Sequence, residues 1–212
     1  DPAREDVKAT IATYKSAGIR VVMMTGDHPG TAKKIAQEIG LLDFEAHNDK
    51  ALAGKNIPDM ENLSDTVKNK LLNTVVFARV TPKQKLDLIA LFQQNNNIVG
   101  MIGDGVNDVP ALKKADIGIA MGIRGTEAAR ETADVILKDD KFTSIELAIK
   151  QGRAIFENIR QFVVYLLSSN LAEIISVGIA ALLALPSPLL PLQILFLNLI
   201  TDIFPALALG LG

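Results

Sequence analysis

The sequence has 212 residues, with 22 Lys and Arg against 24 Asp and Glu, and no Cys. That length holds one large domain, or one domain with an appendage. The charge balance gives no pull toward nucleic acid, and the lack of thiols excludes a disulfide framework, a cysteine zinc site and thiol catalysis. The balance also breaks along the chain: residues 161–212 contain no Lys or Arg and only two acids, Glu173 and Asp202. A charge-balanced soluble part is thus followed by a membrane-like part.

From the N-terminus, residues 4–17 read as a helix. Ile19–Met24 is a short apolar run, read as a buried strand, and a helix follows over about 30–40. Residues 43–72 are polar and weakly periodic, and read as a loop with one short helix containing Leu63–Leu72. Further strands are expected at Thr74–Phe77, Ile98–Ile102, Ile117–Ala120 and Val135–Leu137, with helices at 82–94 and 126–132. Strands alternating with helices predict an α/β fold, a Rossmann-like parallel sheet covered on both faces. The helix over 143–160 has no stop signal, so one long helix is expected to run on into the apolar part.

Two strand ends carry chemistry. Val21–Met24 leads into Thr25-Gly26-Asp27, and Ile98–Ile102 leads into Gly103-Asp104-Gly105-Val106-Asn107-Asp108. Sites of open parallel sheets lie at the carboxyl ends of strands. A hydroxyl and backbone N–H groups at Thr25 and Gly26, just before a helix, suit a phosphate. Asp104 and Asp108 are hard oxygen groups suited to Mg²⁺. The helix opened by Thr81-Pro82-Lys83-Gln84-Lys85 can bring a lysine to the same edge. Alone, each motif also reads as an ordinary turn; together they point to phosphoryl transfer. No GxxxxGK[ST] loop is present, and Gly100, Gly103 and Gly105 do not match a dinucleotide fingerprint. His28 and His47 stand alone in loop-like surroundings and read as solvated.

Phe162–Leu185 contains 24 residues and a single charge, enough to cross a hydrocarbon core of about 30 Å. Pro186, Pro188 and Pro191 break it, and a second apolar stretch follows from about Leu189. The pattern predicts a transmembrane helical hairpin in a lipid bilayer, with a buried hairpin of a soluble protein as the other reading. Lys138, Lys141, Lys150, Arg153 and Arg160 precede the first span, which puts the soluble part in the cytoplasm. The expected divisions are 1–142 soluble, 143–160 connecting helix, 161–186 first span and 189–212 second span. Asn170 and Glu173 share one helix face, as do Asn198, Thr201 and Asp202. Acids in a span normally face a protein interior or an ion path. These five residues offer oxygen donors only, suited to a hard cation such as Ca²⁺. Pro205 can free carbonyls one turn back. The residues also fit interhelical hydrogen bonding with a protonated acid.

In this order, TGD, the TPKQK element, GDGVND and a membrane hairpin make the sequence resemble the P-type cation-transporting ATPases. The resemblance begins at Asp1-Pro2-Ala3-Arg4 and includes Val76–Pro82. The run Gly103–Gly122 is its most specific part, and Leu197–Asp202 closes it. It leans toward calcium pumps of the reticulum type and their bacterial relatives. It implies a haloacid-dehalogenase-like phosphorylation domain, with ATP as substrate and Mg²⁺ as cofactor. By matching position, Thr25 would hydrogen-bond the phosphoryl group, and Gly26 and Asp27 would shape its loop. Lys85 rather than Lys83 would neutralise phosphoryl charge. Asp104 would bind Mg²⁺, and Asn107 and Asp108 would hold phosphate and the metal shell. Asp1, Arg4 and Arg79 would lie near the hinge and nucleotide. Asn170, Glu173, Asn198, Thr201 and Asp202 match ion ligands of the fifth and sixth membrane helices. The favoured ion is Ca²⁺, with Mn²⁺ or a monovalent ion as runner-up and H⁺ as counter-ion.

The family's phosphorylated aspartate sits in a DKTGT motif, which does not occur here. Its nucleotide and actuator domains and its other spans are missing too. The expectation is therefore a fragment, inactive alone, whose partners include the remaining domains of a pump. Ile203-Phe204-Pro205 follows Asp202 where a glycine is common, which weakens transfer of ion stoichiometry. The alternative is a truncated, catalytically silent membrane-anchored module. An anchored phosphatase is disfavoured because no DxDx[TV] motif is present.

Overall fold

The computed structural model describes residues 5–43, 50–60 and 63–211, without the side chains of residues 5, 6, 202, 206 and 209–211. Asp1, Arg4, His47 and the Asp202 side chain therefore lie outside the described residues. The chain forms two compact units, Asp1–Leu147 and Ala148–Gly212.

The first unit is α/β. Its first half contains α1 (Glu5–Ser16), β1 (Met23–Thr25), α2 (Pro29–Glu38), β2 (Ala51–Ala53), α3 (Asp65–Asn73), β3 (Val76–Ala78) and α4 (Pro82–Gln94). The strands form a parallel sheet in the order β1-β3-β2. Central β3 is buried on both faces, as a parallel strand under two helical layers must be. Its alternation sorts the core. Val76 and Ala78 pack with Ile11 of α1 and Ala32 and Ala36 of α2. Phe77, on the opposite face, packs with Leu71 of α3 and Leu88 and Leu91 of α4.

The second half contains β4 (Gly100–Gly103), α5 (Val109–Lys114), β5 (Ile117–Met121), α6 (Glu127–Thr132) and β6 (Val135–Leu137). These strands form a separate parallel sheet, β4-β5-β6. The single sheet expected from the alternation is thus two three-stranded sheets, with β1 and β4 as edges. No ladder joins those edges among the described residues.

Helix ends follow local chemistry. Thr81 and Gln84 cap α4 reciprocally, with Pro82 in its first turn. His28, read from sequence as a solvated loop residue, is the N-cap of α2: its Nδ1 accepts the Gly30 N–H at 3.2 Å. α1 is fastened late in the chain, where the Tyr14 hydroxyl donates to the Phe142 carbonyl at 2.6 Å. Tyr14 is 7 % exposed, and burial, followed by the nearby Glu146 charge, pushes its phenol up to about 12.

α7 runs unbroken over Phe142–Leu182, long and apolar enough to cross a membrane. In the second unit it ends in a Schellman turn. Leu185 N–H donates to Ala180 O at 2.9 Å, Ala184 N–H donates to Ala181 O at 3.2 Å, and Ala184 takes a left-handed φ of +51°. Pro186 then forbids continuation. α8 (Pro191–Leu211) opens with proline, and the Gln193 side chain accepts the Leu190 N–H at 2.9 Å. Leu171, Ile174, Leu192, Leu195 and Phe204 are all more than half exposed, a surface suited to lipid rather than water.

Candidate functional site

β1 ends at Thr25, where the chain turns through Gly26 and Asp27 into α2. Thr25 Oγ1 accepts the Asp27 N–H at 3.1 Å, which shapes the turn. The backbone ties this loop to the end of β3. Val80 N–H donates to Thr25 O at 3.2 Å, and Arg79 N–H donates to Asp27 O at 3.1 Å. Arg79 is exposed and holds a left-handed φ of +53°. Thr81 then caps α4, and Lys85 follows one turn inside it.

Lys85 reaches the other sheet. Its Nζ lies 2.6 Å from Asp108 Oδ1, and each side chain is only 13 % exposed. Lys83, two residues earlier, is exposed. Asp108 closes a single 3₁₀ turn, Val106–Asp108, and its Oδ2 accepts the Gly105 N–H at 3.4 Å. The turn folds back against the strand end because Gly103 has no side chain: a Cβ there would lie 2.6 Å from Asp108 Cβ. Asp104 and Asn107 are exposed. The Asp104 carbonyl accepts the Thr126 N–H at 2.8 Å, from the loop after β5.

A linked chain of contacts therefore runs from Thr25 to Val80, through the first turn of α4 to Lys85, and on to Asp108. A hydroxyl loop, a cation and two carboxylates sit at the carboxyl ends of parallel strands, where such sheets bind phosphates. The donor set fits Mg²⁺. Asp104 and Asp108 supply one or two carboxylates and leave room for water and phosphate oxygen. Among the described residues no group of three or more acidic or histidine side chains converges. Sequence reasoning missed the 122–126 loop that holds Asp104. Its signal was the closely spaced Gly122 and Gly125.

In the second unit, α7 and α8 bring Glu173 and Asn198 together. With its amide nitrogen turned to the carboxylate, Asn198 donates to the two Glu173 oxygens at 3.2 and 3.3 Å. Thr201 spends its hydroxyl on its own helix, donating to Leu197 O at 2.9 Å and Asn198 O at 3.3 Å. Pro205 lacks the N–H that would bond the Thr201 carbonyl, which leaves that oxygen without its helical donor. Asn170 is exposed and makes no hydrogen bond to these residues among those described.

Comparison with known proteins agrees with both units. A family model for haloacid dehalogenase-like hydrolases matches residues 1–116, and a second of the same description matches 84–149. A model for the C-terminus of cation transporting ATPases matches 186–212. A calcium-transporting ATPase of Bacillus subtilis is 49 % identical over all of this chain and 23 % of its own length. Calcium-transporting ATPase 4, endoplasmic reticulum-type, of Arabidopsis thaliana is 45 % identical over 99 % of this chain and 20 % of its own. A crystal structure of a zinc-transporting PIB-type ATPase in its E2.Pi state superposes with a TM-score of 0.67 at 27 % identity. It covers 99 % of this chain, which covers 27 % of it. The chain thus spans less than a quarter of the length of these curated relatives. Its parallel strands, its motif-bearing loops and the match of its whole length to one part of cation-transporting ATPases agree. The chain belongs to the haloacid dehalogenase-like hydrolase family, and its last residues match the C-terminus of cation transporting ATPases.

Proposed function

We propose that this chain forms the later part of the phosphorylation domain, and two membrane helices, of an ATP-driven calcium pump. The observation that carries the reading is the 2.6 Å contact between Lys85 and Asp108, which joins the TGD side of the site to the GDGVND side. In this reading an aspartate from a segment outside the sequence takes the γ-phosphoryl group of ATP and is later hydrolysed. The Thr25 hydroxyl and the Gly26–Asp27 loop hydrogen-bond the transferred group. Lys85 neutralises charge on it, Asp104 and Asp108 hold Mg²⁺, and Asn107 orients phosphate. Mg²⁺ supplies charge neutralisation on the phosphoryl oxygens when bound. The nucleotide-binding role falls to Arg79, together with Asp1 and Arg4 of the matching motif.

The protein is an integral membrane protein with its α/β unit in the cytoplasm. Glu173, Asn198, Asn170, Thr201 and Asp202 then form the transport site. An oxygen-only set, in a sequence without cysteine, favours Ca²⁺ over a softer ion, and the calcium-transporting names of the curated relatives support that choice over the zinc of the structural neighbour. Covalent capture splits the reaction into two half-steps, each available to one face of that site.

The test is Ca²⁺-dependent phosphoenzyme formation in membranes carrying the complete pump. Glu173→Gln and Asp202→Asn each abolish Ca²⁺-activated phosphorylation by ATP and leave phosphorylation by inorganic phosphate intact. Activation by Na⁺ or K⁺ alone, without response to Ca²⁺, overturns the calcium assignment. A site that never phosphorylates in the complete protein points to a silent anchored module.

A further inference from the structure

Asp140 is an unusual residue for a connector. It lies between β6 and α7, is 3 % exposed, and has a left-handed φ of +52°. Both carboxylate oxygens are used on consecutive amides of a distant loop. Oδ1 accepts the Ile123 N–H at 3.0 Å, and Oδ2 accepts the Arg124 N–H at 2.9 Å. The same loop is held from its other side. Arg130 Nη1 donates to Gly122 O at 3.0 Å and Gly125 O at 2.9 Å, and Gly122 N–H donates to Leu137 O at 2.9 Å. Two residues past Arg124, the Thr126 N–H bonds the Asp104 carbonyl at 2.8 Å.

Asp104 itself has an exposed side chain, and this backbone bond is what orients its peptide. A cavity of about 240 Å³ lies alongside, lined by Val7, Asp104, Met121, Arg124, Asp140 and Phe142. Charge-assisted hydrogen bonds to two successive amides are about twice as strong as neutral ones, so the carboxylate is the strong member of the clamp.

The geometry points to Asp140 as a positioning residue for the phosphoryl site: it clamps the 122–126 loop and, through Thr126, fixes the direction of Asp104. It touches no reacting atom. The metal arm of the test rests on the reading of Asp104 as a Mg²⁺ ligand; the clamp does not.

A purely conformational role makes a different demand. If Asp140 served only to accept a left-handed turn, glycine would do as well or better, and asparagine nearly as well. If the carboxylate is the clamp, both substitutions release the loop. The experiment uses the 212-residue chain in detergent. Hydrogen exchange is followed at the amides of Ile123, Arg124 and Thr126, and Mn²⁺ binding is followed by its free-ion paramagnetic signal. Asp140→Asn and Asp140→Gly are compared with Asp139→Asn, which loses bonds only to Ser144 and Lys141.

Both Asp140 variants should speed Thr126 exchange by roughly tenfold or more, while amides of β3 stay protected. Mn²⁺ affinity should fall by roughly tenfold, the usual effect of losing a residue that orients a ligand. Asp139→Asn should change neither. Wild-type Thr126 exchange in either Asp140 variant overturns the inference. So does loss of β3 protection in Asp140→Gly, which would make Asp140 a determinant of the fold as a whole. If the wild-type chain shows no Mn²⁺ binding that Asp104→Asn abolishes, the metal assignment of Asp104 fails, and Thr126 exchange alone decides the clamp.

Discussion

Lys85 and Asp108 neutralise each other across two sheets, with Nζ 2.6 Å from Oδ1. The cation proposed for a phosphoryl group is thus parked on a carboxylate proposed for the metal. This sets a sign. Without phosphate, Lys85 competes with a divalent ion for Asp108. Lys85→Gln should therefore raise Mn²⁺ affinity of the chain severalfold, by about 3- to 10-fold for one charge removed from a partly buried site. In the complete pump the same change should lower phosphoenzyme formation on the order of a hundredfold, since the transferred charge loses its partner. A variant that has simply lost its structure would lower both.

Gly103 sets the position of the Asp108 turn. A methyl at residue 103 would lie 2.6 Å from Asp108 Cβ, too close to stand. Gly103→Ala should push the turn away, break the contact with Lys85 and cost about 1–3 kcal/mol. Denaturant unfolding measures the stability loss. Mn²⁺ titration should show weaker binding, opposite in sign to Lys85→Gln.

Gln84 links the start of α4 to a neighbouring loop. Its Oε1 accepts the Thr81 N–H at 3.0 Å and its Nε2 donates to Gly54 O at 2.8 Å. Gln84→Ala removes both and should cost about 1–2 kcal/mol. Gln84→Glu keeps the cap and loses the bond to Gly54, so it should fall between. Thermal unfolding of the three proteins provides the comparison.

Tyr14 offers a pH test. Burial, with the Glu146 charge, raises its phenol from 10.0 to about 12 in the folded chain. The folded value lies above the unfolded one, so folding favours the neutral form. The contribution is complete below pH 10, and it is lost as pH rises through the folded value. In a Tyr165→Phe background, Tyr14 is the only tyrosine, and the sequence has no Trp. Phenolate absorbance should then appear only near pH 12, and adding denaturant should bring it down toward 10. Appearance at the ordinary value in the folded chain would show that Tyr14 is not buried there.

Much of this architecture is legible in the residues. β6 and α4 lie where the apolar runs and the Thr81–Gln84 pattern put them, and β1 and β4 end at their motifs. β2 is not legible. Ala51-Leu52-Ala53 is a three-residue strand inside a polar stretch, and pairing with β3 rather than its own pattern makes it. The contact of Lys85 with Asp108 needs the fold, because 23 residues separate them and local spacing says nothing about which lysine turns inward. Thr201 shows the limit of helix-face reasoning. Residues at i and i+3 share a face, yet its hydroxyl bonds back to its own carbonyls. Asp140 carries no signal at all, since its partners are 16 and 17 residues away and are backbone amides.

The bond from Tyr14 to Phe142 spans 128 residues. On a ribosome adding about 5–20 residues per second, Tyr14 waits on the order of ten seconds for its acceptor to be made. During that time α1 lacks its fastening, and its buried ring has no final place. Phe142 is also the first residue of the helix that carries the apolar stretch. The moment at which the first unit can close thus falls just before the moment at which this helix must enter the bilayer. Completion of that fold and insertion of the apolar helix follow one another within a few tens of codons.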